Sequence, residues 1–77
     1  MKNETGIAHR WDAGETGCGH LAVGLKRELA RLVPGQCLEV TARNEGAPVD
    51  VPAWCRVTGH DLLHAGHPKY VIQRKHQ

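Results

Sequence analysis

Residues 19–43 read GHLAVGLKRELARLVPGQCLEVTAR, and a change of period inside this stretch decides the fold. Leu21, Leu25, Leu29 and Leu32 fall at i, i+4, i+8 and i+11, which puts them on one stripe of a helix over residues 19–33. Lys26, Arg27 and Arg31 lie off that stripe. Pro34-Gly35 ends the helix, because neither residue continues it well. Gly24 weakens its middle by roughly 1 kcal/mol relative to Ala. The period then drops to two. Leu38, Val40 and Ala42 take one face of a half-buried strand, and Cys37, Glu39, Thr41 and Arg43 take the other. Cys37, on the polar face and next to a turn, is expected to be partly exposed.

Upstream, Ile7, His9 and Trp11 alternate with Ala8 and Arg10, as a short strand requires. DAGETGCG, residues 12–19, has three glycines in eight positions and reads as a loop. Residues 1–6, MKNETG, are polar and expected to fray. Downstream, NEGAP is a turn or loop. DVPAWCRVTG, residues 50–59, reads as a short second helix with Asp50 as N-cap, Pro52 in the first turn and Gly59 past its end. HDLLHA and KYVIQRK are strand-like runs joined by GHP, which predicts a hairpin. The element order is β-α-β-α-β-β over residues 7–75. Two helices covering one face of a mixed four-stranded sheet give a two-layer α/β sandwich. If the first two strands are parallel, the crossover through the first helix is expected to be right-handed. The other sheet face is left for solvent or self-association.

A chain of 77 residues with 40% hydrophobic and 23% charged positions makes one small domain, not two. Charged residues interrupt every apolar run short of the ~20 residues a bilayer span needs. The first residues lack the apolar core of a secretory signal. A net charge of +2 is too small to imply a nucleic-acid partner, and no such partner is expected. Arg10, Arg74, Lys75 and His76 with Tyr70 read as a charged, solvated edge. Three cysteines, an odd number, argue against a secreted disulfide framework and for a reducing cytoplasm.

Cys18 is the best-placed reactive group. It follows a strand and a glycine-rich loop and directly precedes the long helix. Unpaired backbone N–H groups and the positive end of the helix dipole favour a thiolate there. Gly17 and Gly19 leave room for a second sulfur, and a protonated His20 would add support. The alternative is a thiol that merely packs where helix meets sheet. Cys55, mid-helix beside Trp54, reads as a small core hydrophobe, and Cys37 as incidental. Cys18 and His20 with His60, His64 and His67 raise zinc, but His60 and His64 on one strand would stand ~13 Å apart. Exposed hairpin histidines and no metal are expected. The glycines of GETGCG do not match a phosphate loop, and its lysine is missing.

W-D-A-G-E-T-G-C-G-H-L, followed by L-V-P-G-Q-C-L-E-V, then V-P-A-W-C-R-V-T-G-H-D-L-L and K-Y-V-I-Q-R-K, resembles the TusA/SirA-like sulfurtransferase family over roughly residues 7–75. The resemblance implies a compact sandwich similar to the C-terminal domain of translation initiation factor three. It also implies a cysteine that carries sulfur as a persulfide, with no cofactor. By motif position Cys18 matches the persulfide cysteine and Asp12 the acidic residue ending the first strand. The implied partners are a sulfur donor, such as a cysteine desulfurase or rhodanese-like protein, and an acceptor. The routes would be tRNA thiolation, molybdenum-cofactor biosynthesis or sulfur oxidation. The sequence departs from the family's Cys-Pro-x-Pro: Cys18-Gly19-His20-Leu21 lacks both prolines, which loosens the first helical turn. Glu15 stands where Gly is usual and Thr16 where Leu is, and a carboxylate near Cys18 opposes the thiolate. The alternative function is a non-catalytic protein-binding or regulatory module on the same fold.

Overall fold

The computed structural model describes residues 7–75. The frayed segment expected at residues 1–6, and His76 of the basic edge, lie outside the described residues. The elements are β1 (Ile7–Gly14), α1 (Cys18–Ala30), β2 (Cys37–Ala42), α2 (Ala47–Thr58), β3 (Asp61–Gly66) and β4 (Lys69–Gln73). Their order is the β-α-β-α-β-β read from the sequence. The sheet is mixed, in the order β1-β2-β4-β3. β1 runs parallel to β2, with Trp11 opposite Val40, and β4 runs antiparallel to both β2 and β3.

One core lies between the helices and one sheet face. Leu21, Leu25, Leu29 and Leu32 meet Leu38, Val40, Ala42, Tyr70 and Ile72, with Val51 and Cys55 added by α2. Each fully buried Leu or Ile contributes roughly 1.5–3 kcal/mol, so the leucine stripe is what fixes α1 to the sheet. At the side of this core, His9 on β1 pairs with the buried Glu28 of α1 at 2.9 Å, giving that carboxylate a partner.

Around the core and the start of the helices the structure departs from the sequence reading in four respects. β1 does not stop at Trp11 but continues to Gly14, since Ala13 is buried and the strand pairs with β2 as far as Ala42. The loop that the glycines suggested is only Glu15–Gly17. α1 starts at Cys18 and ends at Ala30, three residues before Val33. Pro34 disfavours the helical conformation at the residue before it, so the last turn is tight, with Leu32 N–H on Leu29 O. α2 begins at Ala47, with Gly46 as its N-cap, so Asp50 sits inside the first turn and Pro52 inside the helix. Asn44 organises that start: its side-chain oxygen accepts the Gly46 N–H at 2.8 Å. Gly59 closes α2 as expected, at φ 88°, a conformation that favours glycine.

Cys37 is the fourth difference. It is 1% exposed rather than partly exposed. β2 is an interior strand, and Cys37 lies in register between Ile7 and Gln73. The Gln73 side chain is itself held over this end of the strand by donating to Gly35 O at 2.9 Å.

Candidate functional site

Cys18 is the first residue of α1, directly after the three-residue loop that leaves β1. Gly17 is the N-cap, with extended backbone (φ −80°, ψ −178°) and no side chain to cap the helix. The helix ladder opens with the Leu21 N–H on Gly17 O at 2.8 Å. The N–H groups of Cys18, Gly19 and His20 therefore have no carbonyl to reach within the helix. The first turn contains no acidic residue, so nothing there offsets the positive end of the dipole. A Cβ built at Gly17 or Gly19 meets nothing within 4 Å, which leaves open space on both sides of position 18.

The loop before Cys18 is held by hydrogen bonds. Thr16 donates its hydroxyl to Ala13 O at 2.6 Å, and Asn44 donates its amide to Glu15 O at 3.3 Å. Gly14 turns the chain at φ 62°, and its N–H goes to the Asp12 carboxylate at 2.8 Å. Asp12 is engaged elsewhere as well: Arg43, just past β2, donates two nitrogens to its two oxygens, both at 3.0 Å. This ion pair and the Gly14 N–H hold the exposed Asp12 carboxyl below the usual carboxylate range, the Arg43 hydrogen bonds being the larger cause. Asp12 thus fastens the ends of β1 and β2 and shapes the turn. Glu15 lies near enough to Arg43 to stabilise its charge.

His20 is exposed on α1 two residues beyond Cys18. With Trp11, Thr16, Gly17, Val23, Gly24 and Arg27 it lines an open groove of about 580 Å³ beside the loop. The sequence reading missed Arg43 and Arg27. Alternation puts Arg43 on the polar face of its strand, and only the parallel register brings the end of β2 beside that of β1. Arg27 is one turn pair beyond His20, a helical spacing visible in the sequence.

The other two thiols are held protonated. Burial pushes the Cys55 thiol up to about 11, with a smaller contribution from Asp61. Burial also raises Cys37.

The remaining candidates do not assemble. His60 is not an exposed hairpin residue. It precedes β3, is half-buried, stacks on Trp54 at 5.5 Å between ring centres, and accepts the Lys75 N–H on Nδ1 at 3.0 Å. His64 is exposed, and His67 sits in the turn with Nδ1 at 2.7 Å from the Tyr70 hydroxyl. Among the described residues no three His, Cys, Asp or Glu side chains come together as metal ligands. The basic edge is also divided. Arg10 pairs with Glu39 at 2.9 Å, Lys75 donates to Thr58 O at the end of α2, and Arg74 donates to Leu32 O beyond α1. Tyr70 is buried in the core. Among the described residues no helix is long and apolar enough to cross a membrane.

The molecule is a small two-layer α/β sandwich with one cysteine at the start of its first helix and two more shut in its interior. The chain belongs to the family described as sulfurtransferase TusA, whose model matches residues 11–74. It is 42% identical over 52 residues to YrkI of Bacillus subtilis (strain 168), named as a candidate sulfur carrier protein; the match covers 68% of this chain and 69% of that one. It is 50% identical over 40 residues to the similarly named NMA0882 of Neisseria meningitidis serogroup A, covering 52% of this chain and 54% of that protein. NMB0681 of serogroup B matches to the same extent. These likenesses support a sulfur-carrier role, one that TusA-like proteins perform in relays with donor and acceptor proteins.

Proposed function

We propose that the chain carries sulfane sulfur as a persulfide on Cys18, in a reducing compartment such as the cytoplasm. One observation carries this assignment: Cys18 stands at an uncapped helix start, whereas Cys37 and Cys55 are buried with raised thiol pKa values. A thiolate is the attacking form, so the residue whose surroundings favour the anion is the one to load. The Cys18 thiolate attacks the outer sulfur of a donor persulfide, R–S–SH. The donor S–S bond breaks, R–S⁻ leaves, and Cys18 becomes Cys–S–SH without net oxidation or reduction. Attack by an acceptor thiolate on that outer sulfur reverses the bookkeeping and passes the atom on.

The helix dipole favours both the thiolate and the persulfide anion, and a protonated His20 adds to it. Asp12 serves through Arg43 and Gly14, by shaping the turn that ends β1. The donor is a persulfide-forming protein of the cysteine desulfurase or rhodanese-like kind, and the acceptor a protein thiol. No nucleic acid takes part directly.

The test is mass spectrometry after incubation with a cysteine desulfurase and cysteine. Wild type should gain the mass of one sulfur atom, and Cys18→Ser should not. An adduct kept by Cys18→Ser would move the site to another cysteine. No adduct on a folded wild type with an active donor would leave the non-catalytic binding module as the function.

A further inference from the structure

Lys26, His60, Arg74 and Lys75 line one pocket of about 170 Å³, with Leu29 and Ala30 as its apolar wall. It lies where α1 passes the loop between α2 and β3 and the residues that follow β4. No carboxylate is among the lining residues. Asp61, next to His60 in the chain, acts on that ring less than Lys75 and Arg74 do.

Arg74 and Lys75 owe their places to the backbone. Arg74 donates Nη1 to Leu32 O, just past α1, and Lys75 donates Nζ to the carbonyl of Thr58, the last residue of α2, at 2.6 Å. These bonds satisfy carbonyls at the helix ends but leave donors over, since both side chains carry several N–H groups. Among the described residues, Nε and Nη2 of Arg74 have no hydrogen-bond partner, and the exposed Lys26 is in no ion pair. His60 accepts the Lys75 backbone N–H on Nδ1 at 3.0 Å, so its neutral ring carries the proton on Nε2. That N–H meets no acceptor among the described residues, and stacking on Trp54 at 5.5 Å holds the ring in place. The pocket is rich in donors and supplies no acidic side chain to meet them.

We propose that this pocket binds a small tetrahedral oxyanion of the phosphate or sulfate class. Its donors come from three directions: Lys26 on α1, His60 before β3, and Arg74 and Lys75 after β4. A planar carboxylate accepts along its edge, whereas the oxygens of a tetrahedral ion point to all these sides at once. Hydrogen bonds from cations to such an ion are charge-assisted and stronger than neutral ones. The volume is below the ~300 Å³ at which sites for larger organic ligands begin, so it suits a bare ion. Nothing in this site depends on the role of Cys18.

The probes are inorganic sulfate and inorganic phosphate, titrated into the full chain at constant ionic strength with chloride as the balancing ion. Amide shifts by heteronuclear NMR are read together with the thermal midpoint. Both ions should give saturating shifts centred on Lys26, His60 and Lys75, half-complete on the order of 1 mM, and a midpoint that rises over the same range. Both also stabilise proteins by exclusion from their surfaces, but that effect does not saturate at a site. Acetate, the planar control, should bind several-fold more weakly. Lys26→Ala should weaken the sulfate affinity roughly threefold to fivefold, as loss of one exposed charge partner does. Lys26→Glu should abolish the saturation. Arg27→Glu, the same charge change one residue away and outside the lining, should retain it. Shifts that never saturate, saturation centred elsewhere, acetate binding equal to sulfate, or equal losses in Lys26→Glu and Arg27→Glu would each overturn the site.

Discussion

Gly24 of α1 stands directly over the indole of Trp11 on β1, so close that a methyl group at position 24 would collide with the ring. A glycine that looks like a weak point of the helix is therefore the residue that lets the helix settle onto the sheet. This fixes the height of α1, and with it the place where Cys18 leaves the loop.

Gly24→Ala should consequently destabilise the domain, against helix propensity. Alanine gains roughly 1 kcal/mol in an unencumbered helix. Overpacking typically costs about 1–3 kcal/mol, and Trp11 is too large to step aside cheaply. A lower urea midpoint is expected. In a Trp11→Leu background the same change should become neutral or stabilising, giving a positive coupling in a double-mutant cycle. A raised midpoint in the wild-type background would refute the close approach.

The pattern of success in reading the sequence follows the same physics. Leu21, Leu25, Leu29 and Leu32 announce α1, and Leu38, Val40 and Ala42 announce β2, because burial on one side imposes a period that can be counted. Contacts between elements have no period. Nothing local to Gly24 reveals the ring beneath it, and Asp12 and Arg43 are neighbours only once the parallel register of β1 and β2 exists. Cys37 follows its strand's alternation but not its exposure, since burial there comes from the adjoining strands. The opening of α2 depends on the Asn44 side chain meeting Gly46, a loop contact with no period, whereas Asp50 beside Pro52 has the local form of a helix start. The place of Cys18 at the start of α1 was legible, because a glycine-rich loop running into a periodic leucine stripe marks a helix start.

The buried thiol of Cys55 should make the fold sensitive to alkali. Its folded value is raised to about 11 from an ordinary value near 9. A group that binds its proton more tightly when folded contributes full stability below the unfolded value. That contribution is lost as pH rises toward the folded one. Cys37 and Tyr70 are raised by burial and act in the same direction. The thermal midpoint should fall between about pH 9 and 11, and Cys55→Ala should show a shallower fall there. At pH 8 Cys55 should resist alkylation until the chain is unfolded.

Acid should act through other groups. His60 is held below its ordinary value of 6.5, chiefly by burial and then by Lys75 and Arg74. Its neutral ring accepts the Lys75 N–H, a bond the doubly protonated ring cannot make. A depressed folded pKa gives stability that is present above the unfolded value and lost as pH falls through the folded one. A first decline in stability is expected below about pH 6.5, absent in His60→Gln. A second is expected below about pH 3.8, where Asp12 loses its Arg43 partner, and it should be absent in Asp12→Asn. Titration of denaturation midpoints for the three proteins checks both; identical curves would remove the two groups from the account.

The uncapped start of α1 offers the sharpest separation of stability from chemistry. Gly17 has an extended backbone that any residue can adopt, and a Cβ there would meet nothing within 4 Å. Gly17→Ser should supply a hydroxyl to the open N–H groups of Gly19 or His20 and reduce the freedom of the unfolded chain. The gain should be about 0.5–1 kcal/mol. In a domain of this size that raises the melting temperature by roughly 2–8 °C. Gly17→Asp should stabilise the helix at least as much, because a carboxylate also suits the positive end of the dipole. It would at the same time place a negative charge beside Cys18 and raise its thiol pKa. Alkylation and sulfur loading at pH 7 should therefore slow in Gly17→Asp but much less in Gly17→Ser, and the difference should close as pH rises past the thiol's pKa. Equal loading rates for the two variants at every pH would mean that charge at this helix start does not govern Cys18.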